Sequence, residues 1–149
     1  MAQATNQITL RDLEISLSTN GSSWTDISGF ANSIGIGGGD REIGEFFTAD
    51  GDIPVLGAGK RAALELTVKI LYTEGGSDPY TTVRSAYENA TALYVRFSPK
   101  GGDSGEFMFT SAAGYVMNAV YPQGEVQSGE PTPVEFILKT PSLTKSDVA

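Results

Sequence analysis

Three stretches of this chain have the residue types and spacing of chemical sites, and each fails on its neighbours. Gly57-Ala58-Gly59-Lys60-Arg61 carries the glycines and lysine of a phosphate-cradling loop. Such a loop needs Ser or Thr after the lysine and must lead from a strand into a helix. Here Arg61 follows the lysine, and the residues beyond it alternate like a strand. Asp50-Gly51-Asp52 resembles the start of a calcium loop. With Asp50 as first ligand, the sixth position is Val55 instead of glycine and the twelfth is Arg61 instead of glutamate. An EF-hand is excluded, and only a looser surface site for calcium stays open. Ser142-Leu143-Thr144-Lys145 matches the S-x-x-K of serine acyl-enzymes but lies near the chain end without a partner motif.

Composition removes most remaining chemistry. The chain has no histidine and no cysteine. The usual general base and the commonest metal ligand are therefore missing, and a Ser-His-Asp triad cannot be built. Paired carboxylates could cleave a glycoside, yet nothing places two of them in one cleft. The sequence predicts no enzyme, no cofactor and no metal. Asn20-Gly21-Ser22 and Asn89-Ala90-Thr91 are glycosylation sequons, which carry no weight without a secretory signal. The start, MAQATNQITL, has neither a basic region nor an apolar core, which predicts no signal peptide. No apolar run approaches the roughly 20 residues of a membrane span. The expectation is a soluble chain made in the cytoplasm, with no membrane binding.

A length of 149 residues fits one domain, large enough to bury roughly 68–70% of its unfolded surface without staples. The net charge of −8 argues against stable nucleic-acid binding, which depends on neutralising phosphates. It does not argue against a wall that DNA slides past, since an acidic surface repels a polyanion. The bland alternative is that the acidity only serves solubility.

The elements that must position these residues are mostly strands. Leu64, Leu66, Val68, Ile70 and Tyr72 fall on one face of a long segment from about Arg61 to Thr73, and Glu65, Thr67, Lys69, Leu71 and Thr73 on the other. That period of two predicts a sheet with one buried face. Gln7 to Leu17 predicts a first strand with a bulge near Arg11–Asp12, where the apolar parity changes. Asn20-Gly21 predicts a turn into Trp24–Ile27, followed by a strand over Phe30–Ile36 and a short strand or extended arm over Glu42–Thr48. Asp50-Gly51-Asp52 and Gly57-Ala58-Gly59 read as breaks on either side of Ile53–Leu56. Residues 37–60 are thus expected to form one long loop. A helix is predicted over Pro79–Asn89, capped by Asp78, with Tyr80, Val83 and Tyr87 in line. Strands are then expected over Ala92–Ser98, Glu106–Ser111, Tyr115–Tyr121 and Val134–Thr140, with Pro99–Gly105 as a hairpin loop. Residues 1–7 read as an arm and 141–149 as a frayed polar tail. The sum is a single mainly-β domain, a β-sandwich or partly open barrel with one packed α-helix. Trp24, Phe107 and Phe109 read as core. Phe46 and Phe47 are adjacent, so a strand must turn one of them outward. Beside a Gly-rich segment this suggests burial against another chain; a twisted loop covering both rings is the competing reading.

The block Phe47-Thr48-Ala49-Asp50-Gly51 … Gly59-Lys60-Arg61 … Glu65-Leu66-Thr67-Val68 … Leu71-Tyr72-Thr73-Glu74 resembles the centre of major tail tube proteins of long-tailed bacteriophages. The later order matches too: Ala86-Tyr87-Glu88-Asn89, Arg96-Phe97-Ser98-Pro99-Lys100-Gly101, Phe107-Met108-Phe109-Thr110, Ala119-Val120-Tyr121-Pro122 and Val134-Glu135-Phe136. The resemblance spans roughly Gly44 to Thr140 and rests on pattern and order, with no single decisive motif. It implies a structural subunit of hexameric rings that stack into a tube with a continuous inner β-barrel. It implies a virion tail assembled in the host bacterial cytoplasm, a lumen around a tape-measure protein, and DNA passing through without specific binding. Tail initiator and terminator proteins are further implied partners. The loop with Asp40, Arg41, Phe46, Phe47, Asp50, Asp52, Lys60 and Arg61 is then expected to contact neighbouring subunits. Glu42, Glu65, Thr67 and Lys69 are the lumen candidates of a negatively charged channel. Four strands from each of six subunits, at about 4.8 Å spacing and about 40° tilt, give a barrel roughly 45–50 Å across. Side chains reduce the bore to roughly 35–40 Å, wide enough for a DNA duplex. Two readings compete with it. A monomeric β-sandwich binding module, on a virion surface or for glycans, expects an exposed aromatic platform and a short loop in place of 37–60. An acidic-residue hydrolase expects two carboxylates of perturbed pKa in a cleft.

Overall fold

The computed structural model describes residues 2–149. In chain order it contains a 3-10 turn at Leu10–Asp12, β1 (Glu14–Ser18), β2 (Thr25–Asp26), β3 (Ala31–Gly38), β4 (Arg41–Phe46), β5 (Val55–Arg61), β6 (Leu64–Leu71) and α1 (Pro79–Asn89). There follow β7 (Tyr94–Ser98), β8 (Phe107–Ser111), β9 (Tyr115–Val116), β10 (Pro133–Thr140) and β11 (Leu143–Asp147). A five-stranded sheet runs β11-β8-β7-β1-β2, a four-stranded sheet runs β3-β6-β10-β9, and β4 pairs only with β5. Every pairing is antiparallel.

The core lies between the two larger sheets and under the helix. On β6 the predicted alternation holds: Leu66, Val68 and Ile70 are fully buried. Their partners across the β10 ladder, Leu138, Phe136 and Val134, face the same way. Ile15, Leu17, Val95 and Phe97 meet them from the five-stranded sheet. Each such side chain contributes roughly 1.5–3 kcal/mol by leaving water. Phe109 is partly buried and stacks on Phe97 at 5.2 Å between ring centroids.

The helix spans the expected residues, with Pro79 in its first turn. Tyr80, Val83 and Ala86 are buried, while Tyr87 is exposed. The Tyr80 hydroxyl donates to the Val120 carbonyl at 3.0 Å, so its polar tip is satisfied inside the core. Asp78 occupies the N-cap position, but its carboxylate accepts from the Gly75 N–H at 2.9 Å and makes no cap bond.

Several expectations need correction. The first strand is short, because Leu10–Asp12 coils into the 3-10 turn and β1 begins only at Glu14. Tyr115–Tyr121 pairs only over Tyr115–Val116. The segment after Pro141 is a strand: Leu143–Asp147 pairs with β8 in register Leu143↔Ser111 to Asp147↔Phe107. Its backbone completes the β8 edge, which a polar composition does not reveal. Residues 37–60 are not a loop either. They hold the end of β3, all of β4 and most of β5, so Gly57-Ala58-Gly59 is strand and not a break. The long strand expected from Arg61 divides at Ala62–Ala63 into β5 and β6. Trp24 is half-buried outside the core, with the Arg96 guanidinium 4.5 Å from its ring centroid. Phe107 is exposed and carries the Lys145 ammonium over its face at 3.8 Å.

Candidate functional site

β3 and β6 form one long hairpin that continues outward as β4 and β5. The joint has a clear cause in the sequence. Gly38 and Gly39 both take positive φ, 75° and 76°, a conformation that costs an L side chain roughly 1–2 kcal/mol. Space forbids a side chain as well: a Cβ on Gly38 would stand 2.5 Å from the Ala63 carbonyl oxygen, and one on Gly39 would stand 2.6 Å from Leu64 Cδ2. The strands stay tied across this joint. Gly39 N–H donates to Ala63 O at 3.1 Å and Ala62 N–H to Asp40 O at 2.8 Å.

Beyond the joint, every residue of β4 and β5 is exposed. The register Ile43↔Ala58, Glu45↔Leu56 and Phe46↔Val55 divides the side chains between two faces. Phe46 and Val55 share one face, while Ile43, Leu56 and Ala58 share the other. Phe46 is 71% exposed, Phe47 60% and Ile53 82%. Both phenylalanines therefore face solvent, where strand alternation alone expected one. A two-stranded ribbon is marginal in water by itself, and this one has apolar groups on both faces.

The predicted loop residues are all on this arm. Asp40, Arg41, Lys60 and Arg61 are at its root, Phe46 ends β4 with Phe47 just beyond it, and Asp50 and Asp52 are in the tip. Arg41 and Arg61 are directly opposed, a repulsive pairing. The Arg41 guanidinium turns aside to donate to the Gly59 carbonyl at 2.9 Å. Glu42 also lies on the arm, away from the other three lumen candidates. Ile43, Ile53, Val55 and Leu56 were not singled out from sequence; their signal is an apolar set flanked by glycines.

Glu65, Thr67 and Lys69 point away from the core on the open face of the four-stranded sheet, as their parity predicts. There Glu65 is opposite Lys139, Thr67 opposite Ile137, and Lys69 opposite Glu135. On the β3 side, Gly37, Gly35 and Ser33 flank them. Two acidic and two basic groups cancel, so this face is balanced, and the acidity of the chain lies elsewhere.

The edges of that sheet differ. β3 has one neighbour, β6, and its other edge is free along Ala31–Gly38. The segment ANSIGIGG has no charge and no proline, the usual guards of an exposed edge. The far edge is guarded. Leu93 and Gly114 exchange both backbone hydrogen bonds, at 2.9 and 3.0 Å, stitching the start of β9 to the other sheet. Past β9, the Asn118 side chain takes the place of a strand. Its Oδ1 accepts from Ile137 N–H at 2.8 Å and its Nδ2 donates to Glu135 O at 2.9 Å.

Among the described residues there is no cluster of three or more groups able to hold a metal ion. No helix among them is long and apolar enough to cross a membrane. Of the two shifted groups, Tyr72 packs edge-on against Tyr80 of α1 at 4.9 Å between ring centroids, and Arg84 lies on α1 itself. Burial, with the nearby Glu74 carboxylate, raises the Tyr72 phenol above its ordinary 10.0. The hydrogen bond that Arg84 Nε donates to the Glu88 carboxylate at 2.9 Å raises the guanidinium above its ordinary value.

No protein-family model and no curated protein matches the chain. Solved structures do. The chain superposes on a subunit from the tail of an empty gene transfer agent particle, with C6 symmetry, at TM-score 0.66 and 13% identity, over 98% of this chain and 100% of the other. The SPP1 tail tube gives TM-score 0.72 at 14% identity, covering 95% of this chain and 80% of that one. A sheath–tube complex of the extracellular contractile injection system PVC gives 0.66 at 13%, covering 96% and 93%. The chain has the fold of tail tube subunits over nearly its whole length.

Proposed function

We propose that this chain is a structural tail tube subunit: six copies close into a ring, and rings stack into a hollow tube. The observation that carries the reading is the pair of unfinished surfaces on a tail tube fold. One is the free, unguarded β3 edge, and the other is an arm with two uncovered apolar faces. Pairing the β3 edge with the β9 side of the next subunit's four-stranded sheet, where the Asn118 side chain must first release Ile137 N–H and the Glu135 carbonyl, is a head-to-tail contact, which closes into a ring when the rotation permits. Six four-stranded sheets give 24 strands and a barrel roughly 45–50 Å across. The open face of each sheet then lines the bore with Glu65, Thr67, Lys69, Glu135 and Lys139.

That lining refines the expected negative channel. Opposite charges face each other across strands, so the wall offers phosphate neither a basic patch to bind nor strong repulsion. DNA passes such a wall without specific contacts, and a tape-measure protein occupies it during assembly. Asp40, Arg41, Glu42, Lys60 and Arg61 belong to the arm root at the rim of each ring. Initiator and terminator proteins complete the two ends, and the assembled tube belongs to a virion tail built in the host cytoplasm. The subunit needs no catalytic activity for this role.

Negative-stain electron microscopy of the purified protein across a concentration series, with light scattering alongside, tests the reading. Six-fold rings or hollow tubes are the expected result. A monomer at every concentration would overturn it and return attention to a sandwich that binds other ligands.

A further inference from the structure

The β9 side of the four-stranded sheet stops short of what its register allows. β9 pairs with β10 as Tyr115↔Lys139 and Val116↔Leu138. Carried on, that register sets Met117 opposite Ile137 and Ala119 opposite Glu135. In an antiparallel ladder each hydrogen-bonded pair of this kind exchanges two backbone bonds. Met117 makes its half of the first exchange, donating its N–H to the Ile137 carbonyl at 2.9 Å. The returning bond, from Ile137 N–H, goes to Asn118 Oδ1 at 2.8 Å in place of the Met117 carbonyl. The Glu135 carbonyl, due to accept from Ala119 N–H, accepts from Asn118 Nδ2 at 2.9 Å. One side-chain amide thus stands in for one backbone group of each pair. The chain is held off β10 by the length of that side chain. A recess of about 350 Å³ opens there, lined by Lys69, Asn118, Ala119, Tyr121 and Glu135 among others.

We propose that Asn118 is a latch on ring closure: its release lets Met117–Ala119 zip onto β10, and the lengthened β9 then receives β3 of a second copy. The inference rests on the tube reading and deepens it. Length supports it, since β3 presents eight residues and β9 only two. Side-chain direction supports it too. Val116 and Val120 are buried while Tyr115, Met117 and Tyr121 are exposed. That is already strand alternation, so closing the recess turns no side chain to another face. Ile36 lies on the core side of β3, opposite fully buried Leu66, yet is 49% exposed. A strand added beyond β3 gives it apolar cover. Every contact in a head-to-tail ring uses one edge of each kind. A latch on the β9 side is therefore enough to hold free subunits apart, and β3 can stay unguarded.

Light scattering and electron microscopy of Asn118→Val beside the unsubstituted protein test the latch. Valine cannot bond the two β10 groups, and it suits a strand position between Val116 and Val120. The critical concentration for tubes should fall by about tenfold or more, the scale of two neutral hydrogen bonds, with a shorter lag. Tubes at an unchanged or higher concentration would overturn the latch and leave the tube reading standing. Shapeless aggregates of folded subunits would do the same, making Asn118 a guard against mispairing alone. Amide exchange of the unsubstituted protein decides the matter if the variant fails to fold. Protection of Ala119 N–H should rise by about tenfold or more from free subunit to tube, and equal protection in both would overturn the latch. Absence of rings and tubes from the unsubstituted protein and the variant alike would overturn both readings.

Discussion

The inner and outer halves of the long β3–β6 and β4–β5 hairpin are one continuous ribbon built to opposite rules. On the inner half, Leu66, Val68 and Ile70 alternate with Glu65, Thr67 and Lys69, so one face is buried and the other is polar. On the outer half the alternation is lost, and apolar groups occupy both faces with no cover from their own subunit. The change happens across the Gly38-Gly39 joint. The inner half obtains its stability within the chain, while the outer half finds no apolar cover there. On the tube reading proposed above, a single ribbon divides folding from assembly.

Removing the outer half gives the sharpest test of that division. Deleting Arg41–Arg61 joins Asp40 to Ala62, which already share a hydrogen bond. The shortened chain should fold with an unchanged melting temperature and lose ring stacking completely in electron micrographs. Persistent tubes would show that the arm is dispensable. Phe136→Ala asks the reverse. This fully buried ring should cost about 3–5 kcal/mol in denaturant unfolding of the monomer. Phe46→Ala on the arm should stay within about 0.5 kcal/mol of the parent while raising the concentration needed for assembly.

The joint itself should show an intermediate effect. Gly38→Ala forces a side chain into a positive φ and against the Ala63 carbonyl. A loss of about 2 kcal/mol is expected by thermal melting, and a neutral result would mean that the ribbon leaves the sheet by another path. The smallest effect concerns pH. The Tyr72 phenol titrates above its ordinary value because burial and Glu74 oppose the phenolate. Folding thus favours the protonated phenol, and that contribution is complete below about pH 10 and lost as pH rises through the folded-state value. Tyr72→Phe should flatten the alkaline arm of a stability-versus-pH curve slightly and leave neutral pH unchanged.

The two halves also differ in how far the sequence discloses them. The β6 faces and the α1 boundaries are legible because burial imposes a period, and Pro79 and the spacing of Tyr80 and Val83 mark it. β5 is not legible. Its residues VLGAGKR answer to no buried face within the subunit, so glycines that serve a strand look like breaks. β11 is hidden for a related reason, since LTKSD is strand through backbone pairing with β8 and only Leu143 touches the core. The arm residues could be grouped from sequence by proximity along the chain. Asn118 could not, because its role depends on β10, whose ladder lies about twenty residues away along the chain. The lumen candidates divide the same way: parity placed Glu65, Thr67 and Lys69 together, while Glu42 belongs to the arm.

The position of the arm at only one end of its hairpin has a geometric corollary. Any column of such subunits is an arrow, with all arms pointing toward the same terminus. Its last ring at one extremity displays unsatisfied arms, and the ring at the opposite extremity displays surfaces that no arm has reached. These extremities differ in shape and chemistry, so no single capping protein can close both. Growth that begins from a platform complementary to one of them inherits its direction from the first ring laid down.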